Sequence, residues 1–270
     1  MKMVREGSRV LLLLFCLSAV VLSQACIPPA FLGPPAPPYS EDVIHTILNR
    51  VTAQGNLVNT LFCTGSLISK QGEIEQEANI AIVGQRSPLR VKMEITHPWG
   101  SPIANLLVDD DHFTLVFFPE KRIFLGSVKK GKPTRSFPVP LDPSAMWAFI
   151  RGYPLVPVYK KADSPKKGVI RLLDAGNILL RRLDFDLSPI RPQACYFPAI
   201  GMTQYYESFE KDDAVEYARK VVLKDTSKRK SLILRIKHAL FNPRLPSGVF
   251  QVAKPEKFKT IMLSRETKQQ

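Results

Sequence analysis

The chain has 270 residues, of which 45% are apolar and 23% charged, and it carries a formal net charge of +14 at pH 7. These proportions are typical of a globular protein with a substantial core and exclude an intrinsically disordered chain. In a cytosolic protein, such a basic excess would indicate a nucleic-acid partner.

The first 25 residues have the parts of a bacterial export signal, which we predict over 1–25. A basic region containing Lys2, Arg5 and Arg9 precedes an apolar run, VLLLLFCLSAVVL. This run is shorter than the roughly 20 residues that a membrane-spanning helix needs. An uncleaved signal anchor is the alternative. Cleavage lowers the net charge to +12, because the charged residues of the signal together carry +2. Export removes nucleic acid as a partner and favours anionic lipid headgroups or lipopolysaccharide phosphates, the alternative being a basic surface without a partner.

The cleavage region allows two interpretations. Ser23-Gln24-Ala25 suits ordinary signal peptidase, which would leave a soluble periplasmic protein. Ala25-Cys26 instead resembles a lipobox, with Ser23 where leucine is preferred, and Cys26 would then become the lipidated first residue. The proline-rich stretch IPPAFLGPPAPPYS after Cys26 is typical of an extended tether. We therefore predict lipidation at Cys26, a tether over 26–39 and a folded domain over 40–270.

Two cysteines lie in the predicted folded domain, Cys63 and Cys195. In an oxidising compartment they could form a disulfide, or they could remain two buried thiols. No additional ligands stand at the short spacing of a metal site, so we predict neither a metal nor a cofactor.

A helix and six strands are predicted in the first half of the domain. In SEDVIHTILNRVTA, Ser40 stands at the N-cap position and acidic residues fill the first turn. Its apolar residues share one helix face: Val43, Ile44, Ile47, Leu48 and Val51. The six strands that follow are LVNTLFCTGSLIS, EIEQEANIAIVG, LRVKMEITH, IANLLVDD, HFTLVFFP and RIFLGSV.

A second helix begins at Pro143 and Ser144 and ends at Tyr153-Pro154, with Met146, Trp147, Phe149 and Ile150 as its apolar content. Five more strands are predicted after it: VIRLLDA, NILLRRLDFDL, AVEYARKVVLKD, SLILRIKHALFN and VFQVA. The stretch 193–213 fits a loop, an additional hairpin or a short covering helix.

The succession of short alternating strands predicts one curved antiparallel sheet of about ten strands, a half-barrel whose open side is covered by short helices. So few helices cannot fill such a sheet, so we expect an apolar cavity. The candidate cavity or lid residues are Val91, Met93, Ile95, Phe113, Leu115, Phe117, Trp147 and Phe149. Ordinary core packing would produce the same pattern.

Two local motifs resemble LolB, the outer-membrane lipoprotein that receives other lipoproteins and inserts them. The first is the turn Pro98-Trp99-Gly100 between two apolar strands. The second is Val139-Pro140-Leu141, followed by the helix with Trp147 and by Gly152-Tyr153-Pro154. The resemblance covers roughly residues 40–186. The chain departs from the family in its greater length, its basic charge and the tryptophan at the turn, where the family has leucine.

The resemblance implies a half-open barrel with a helical lid and an apolar interior for acyl chains. It implies that Trp99 is a membrane-insertion tip, the alternative being a side chain folded back over the sheet. The implied partners are acyl chains of lipoproteins or lipids, the membrane surface through the lipid anchor, and a periplasmic LolA-like carrier. The implied protein is a monomer at the periplasmic face of the outer membrane, or alternatively a soluble periplasmic protein. A second hypothesis is a structural or assembly lipoprotein that uses the fold for protein docking.

No catalytic residue is predicted. The four histidines, His45, His97, His112 and His238, stand in unlike contexts, and no nucleophile elbow, HExxH or glycine-rich phosphate loop is present. The acidic run from Asp109 to Asp111 lacks the alternating ligands of a calcium loop and indicates a hairpin turn. We therefore expect a binding protein rather than an enzyme.

Overall fold

The computed structural model describes residues 37–128, 142–187, 190–225 and 230–263. The predicted signal peptide, Cys26, nearly all of the tether and the motif Val139-Pro140-Leu141 lie outside these residues. Within them are two helices, α1 (Glu41–Asn56) and α2 (Pro143–Arg151). The strands are β1 (Thr60–Gln71), β2 (Ile74–Gln85), β3 (Arg90–Thr96), β4 (Pro102–Asp109), β5 (His112–Phe117), β6 (Arg122–Ser127), β7 (Lys161–Lys166), β8 (Val169–Leu173), β9 (Leu179–Leu187), β10 (Ile190–Phe197), β11 (Met202–Asp212), β12 (Val215–Asp225), β13 (Lys230–Phe241) and β14 (Lys259–Leu263).

All these strands belong to one open, curved sheet with the order β14-β6-β5-β4-β3-β2-β1-β13-β12-β11-β10-β9-β8-β7. Two antiparallel meanders, β1–β6 and β7–β13, meet where β1 pairs with β13. The parallel pairing of β14 with β6 departs from the antiparallel pattern. The mainly β class and the single curved sheet are confirmed. The predicted number of about ten strands is wrong, because the described residues contain fourteen.

The missing strands lie where the hydrophobic alternation is weak. β7 has the sequence KADSPK, with Pro165 in its interior, and it is tolerated because it lies at the edge of the sheet. The stretch left open at 193–213 is mostly the β10–β11 hairpin, whose turn ends at Gly201 with φ of +66°. The predicted final strand VFQVA is wrong, because residues 249–253 lie in the connection to β14.

α1 extends the predicted helix by three residues, and its apolar face packs on the core through Ile44, Ile47, Leu48 and Val51. Val43, which was assigned to the same face, is 39% exposed. Ser40 is the N-cap residue, but its side chain makes no capping hydrogen bond.

α2 has a side-chain cap at its start and a glycine at its end. Asp142 Oδ1 accepts a hydrogen bond from the backbone N–H of Ala145 at 2.7 Å. At the other end, Gly152 has φ of +67°, and its carbonyl accepts a hydrogen bond from the N–H of Ala218 in β12 at 2.8 Å. The second half of α2 therefore docks directly on the backbone of the sheet.

The core beneath the C-terminal half of α2 is filled. A Cβ atom on Gly84 would lie 3.0 Å from the ring of Trp147 and 3.1 Å from Ile150, so the helix packs against bare strand backbone there. Val91 and Phe113 are buried in the same core.

Candidate binding cavity

The half-barrel contains a cavity of about 800 Å³ on the side where α2 begins. Both β meanders and α2 contribute to its wall, and α2 supplies Ala145, Met146 and Phe149. The main apolar residues of the sheet wall are Leu67, Met93, Ile95, Leu106, Leu115, Phe117, Phe124, Leu223 and Leu232. The volume falls within the range of about 300–1,000 Å³ that is usual for ligand sites.

The turn between β3 and β4 stands at the cavity mouth. The N–H of Gly100 donates to the carbonyl of His97 at 2.8 Å, and the N–H of His97 donates to the carbonyl of Ser101 at 2.8 Å. Gly100 has φ of +93°, a backbone conformation that favours glycine. His97, Pro98 and Trp99 all line the mouth, and the Trp99 side chain is 74% exposed. Trp99 is therefore not folded back into the core.

Five of the eight predicted cavity or lid residues lie on the cavity wall, namely Met93, Ile95, Leu115, Phe117 and Phe149. The other three, Val91, Phe113 and Trp147, lie in the filled core instead. Alternation along a strand indicates which side chains lie on the same face of the sheet. It does not indicate whether the space in front of a strand residue such as Val91 or Phe113 is filled. Trp147 lies on α2 itself, where it packs against Gly84.

Gln204 is a buried polar residue in the cavity wall that the sequence reasoning missed. Its Nε2 donates to the carbonyl of Ala145 in α2 at 2.6 Å, and its Oε1 accepts a hydrogen bond from the Tyr206 hydroxyl at 2.9 Å. The only sequence signal for Gln204 was a polar residue within the stretch 193–213, which has no clear hydrophobic periodicity.

The two cysteines are buried, free thiols. Cys63 lies in β1 and Cys195 in β10, which is four strands away in the sheet order and therefore roughly 19 Å along the sheet. A disulfide requires Cα atoms within about 7 Å. Burial in the apolar interior raises the pKa of each thiol to about 12.

The acidic run after β4 forms the turn into β5, with Asp110 at φ of +48°. Asp109 pairs with Arg90 at 3.0 Å between Oδ1 and Nε. Among the described residues, no three His, Cys, Asp or Glu side chains are grouped so that they could hold a metal ion. Over the same residues, neither helix combines the length and apolarity needed to span a bilayer.

Two solved structures share this architecture at low sequence identity. A domain named for outer membrane lipoprotein sorting, from Vibrio parahaemolyticus, has a TM-score of 0.52 at 14% identity, over 76% of this chain and 94% of its own. A DUF1329 family protein from Desulfovibrio piger has a TM-score of 0.53 at 8% identity, over 78% of this chain and 96% of its own. The chain shares the fold of these two proteins. The fold expected from the LolB resemblance is therefore confirmed.

A LolA superfamily protein from Nitrosomonas europaea overlaps more loosely, with a TM-score of 0.49 at 12% identity over 76% of this chain and 97% of its own, and adds nothing to the assignment. No protein-family model matches the chain, and no curated protein matches its sequence. The shared fold is thus evident in three dimensions, whereas the sequence identity to the first two structures is only 14% and 8%.

Proposed function

We propose that this protein is a non-catalytic carrier that holds acyl chains of lipoproteins or lipids in its cavity. The observation that supports this most directly is the apolar space of about 800 Å³ that α2 leaves open. Burial of a methylene group contributes about 0.8 kcal/mol, so partial burial of one acyl chain suffices for useful affinity without a cofactor.

The rim around the mouth supports delivery at a lipid surface. Strand directions place the β1–β2, β3–β4 and β8–β9 turns at the same end of the sheet. Each turn region presents one large apolar side chain to solvent: Ile74, Trp99 and Ile178 are 66%, 74% and 65% exposed, respectively. Tryptophan is favoured at the headgroup boundary of a bilayer. Trp99 is thus our candidate for the insertion tip.

The proposed localisation is the periplasmic face of the outer membrane, where acylated Cys26 would be the anchor and the proline-rich segment the tether. A soluble periplasmic form after cleavage at Ala25 is the alternative. A LolA-like carrier would supply the cargo. Intact-mass measurement of membrane-extracted protein tests the anchor, because acylation adds a defined mass to Cys26.

The decisive experiment measures uptake of a fluorescent fatty-acyl probe by delipidated protein. Ala104 lines the cavity and is almost fully buried, so Ala104→Phe should occupy space that the probe needs. Leu240→Phe, at a residue that is 58% exposed, is the matched control. We expect binding by the wild type and the control and a large loss in Ala104→Phe. A wild type that takes up no probe but retains a stable protein partner would favour the docking-module hypothesis instead.

A further inference from the structure

The position of Gln204 follows from the register of the sheet. A row of paired residues runs from Gln204 through Leu223 and Leu232 to Ser69 and Gln76, and all five line the cavity. β3 ends at Thr96 opposite Asn79, and Gln76 lies three residues further toward the β1–β2 turn. The row therefore lies at the level of the cavity mouth, beneath the beginning of α2.

The hydrogen bonds of Gln204 fix the orientation of its amide. The carbonyl of Ala145 can only accept a hydrogen bond, so Nε2 must face it, and Oε1 then accepts from the Tyr206 hydroxyl. Nε2 carries two hydrogens, and the bond to Ala145 uses one. No other described residue accepts a hydrogen bond from this amide. One Nε2 hydrogen therefore has no acceptor among the described residues, on a side chain that is fully buried within the cavity wall.

A buried donor in apolar surroundings is costly unless an acceptor meets it. The next two residues in the row, Leu223 and Leu232, have side chains without an acceptor. The acceptor would therefore come from the cargo, and the proposed acyl cargo carries few polar atoms. The carbonyl oxygen of the ester or amide that joins an acyl chain to its headgroup is such an atom. With the carbonyl at the level of Gln204, the chain would extend toward Met93 and Ile95, while the headgroup would remain at the mouth.

We propose that Gln204 donates its free Nε2 hydrogen to the ester or amide carbonyl of the bound acyl ligand, and so selects acyl ligands over plain hydrocarbon chains. This assignment rests on the proposed carrier function. It makes Gln204 a specificity-determining residue, with Ala145 and Tyr206 as the residues that position it.

The test compares two ligands of equal chain length, a fatty-acid methyl ester and the corresponding alkyl methyl ether, in competition with a fluorescent acyl probe on the full mature chain. The ether lacks only the carbonyl oxygen. We expect the wild type to bind the ester about three- to tenfold more tightly, as one hydrogen bond predicts. Gln204→Met, which keeps the size and removes the donor, should bind both ligands equally, with its affinity for the ether unchanged.

Gln71→Met is the matched control, because it makes the same substitution at an exposed glutamine at the end of β1 that does not line the cavity. It should retain the preference for the ester. A Gln204→Met variant that keeps the preference, or a wild type that binds the two ligands equally, overturns the assignment while leaving the carrier function intact. If neither ligand binds, the carrier function itself fails.

A measurement on the wild type tests the proposal even if the Gln204→Met variant does not fold. The side-chain amide resonances of Gln204, observed by ¹⁵N NMR, should move downfield on addition of the ester and much less on addition of the ether. Equal responses to the two ligands would contradict the proposal.

Discussion

The indole of Trp99 lies flat against the imidazole of His97, with ring centroids 4.5 Å apart and ring planes 4° from parallel. Both residues belong to the short turn between β3 and β4, so the stack holds a largely exposed tryptophan in a defined orientation without burying it in the core.

Replacing this tryptophan should therefore separate function from stability. Trp99→Glu should abolish transfer of cargo to lipid vesicles, because a carboxylate opposes insertion into the headgroup region. The free energy of unfolding should change by no more than about 0.5 kcal/mol, as is usual for an exposed position. Vesicle transfer and thermal denaturation measure the two effects. Retained transfer, or loss of folding, would contradict the role of Trp99 as a tip, and Trp99→Leu serves as the conservative control.

Gly84 should tolerate no side chain. Gly84→Ala places a methyl group 3.0 Å from the ring of Trp147 in a filled core, and we expect a loss of about 1–3 kcal/mol in the free energy of unfolding. Gly55→Ala is the matched control, because its methyl group would meet Leu155 at an ordinary 3.5 Å and favours the helical conformation. Chemical denaturation compares the two variants. Equal stability of both would show that α2 does not pack on Gly84 in solution.

Arg151 should contribute strongly to stability despite its burial. Its guanidinium donates to the carbonyl of Glu216 at 2.8 Å and to that of Gln54 at 3.3 Å, and it lies over the rings of Tyr153 and Phe241. Burial lowers the pKa of Arg151 to about 10, which records the cost of desolvating the charge.

Arg151→Ala should lower the free energy of unfolding by about 2–4 kcal/mol, because it removes these bonds and leaves a cavity. Arg50→Ala, at a side chain that is 53% exposed, should cost less than about 1 kcal/mol. Urea denaturation of both variants tests the contrast, and comparable losses would refute it.

Burial of the two cysteines predicts that the stability of the protein depends on pH in the alkaline range. Unfolded thiols ionise near pH 9, whereas burial keeps Cys63 and Cys195 protonated up to about pH 12. The unfolded state therefore binds fewer protons in this interval, and the free energy of unfolding should fall as the pH rises from about 9 to 12.

A Cys63→Ala, Cys195→Ala double variant should show a shallower decline over that interval, with the remainder due to the buried tyrosines, such as Tyr206, whose pKa is also raised by desolvation. In the native wild type, iodoacetamide at pH 8 should leave both thiols unmodified, as peptide mass mapping would show. Rapid native labelling of either thiol would contradict their burial.

The sequence predicted ten of the strands because those segments alternate clearly between apolar and polar residues. It missed β7 and β14, which are edge strands and need little alternation, and it left β10 and β11 undecided between a loop, a hairpin and a helix. It also misplaced the last strand, because VFQVA has β-forming residues but no neighbouring strand. The exposed turn at Trp99 was predictable from Pro98 and Gly100. Gln204 was not, because its importance depends on a helix more than fifty residues earlier in the chain.

The sequence by itself determined the class of the fold, the side chains that share a face of each strand, and the turn that exposes Trp99, because these depend on local periodicity and turn chemistry. Only the tertiary structure decided which part of the concave face remains open. α2 has nine residues and spans about 13 Å, so it covers the positions around Gly84 and leaves those around Ile95 and Phe117 bare. Val91 and Ile95 have the same alternation, and the placement of one short helix separates packed core from cavity wall.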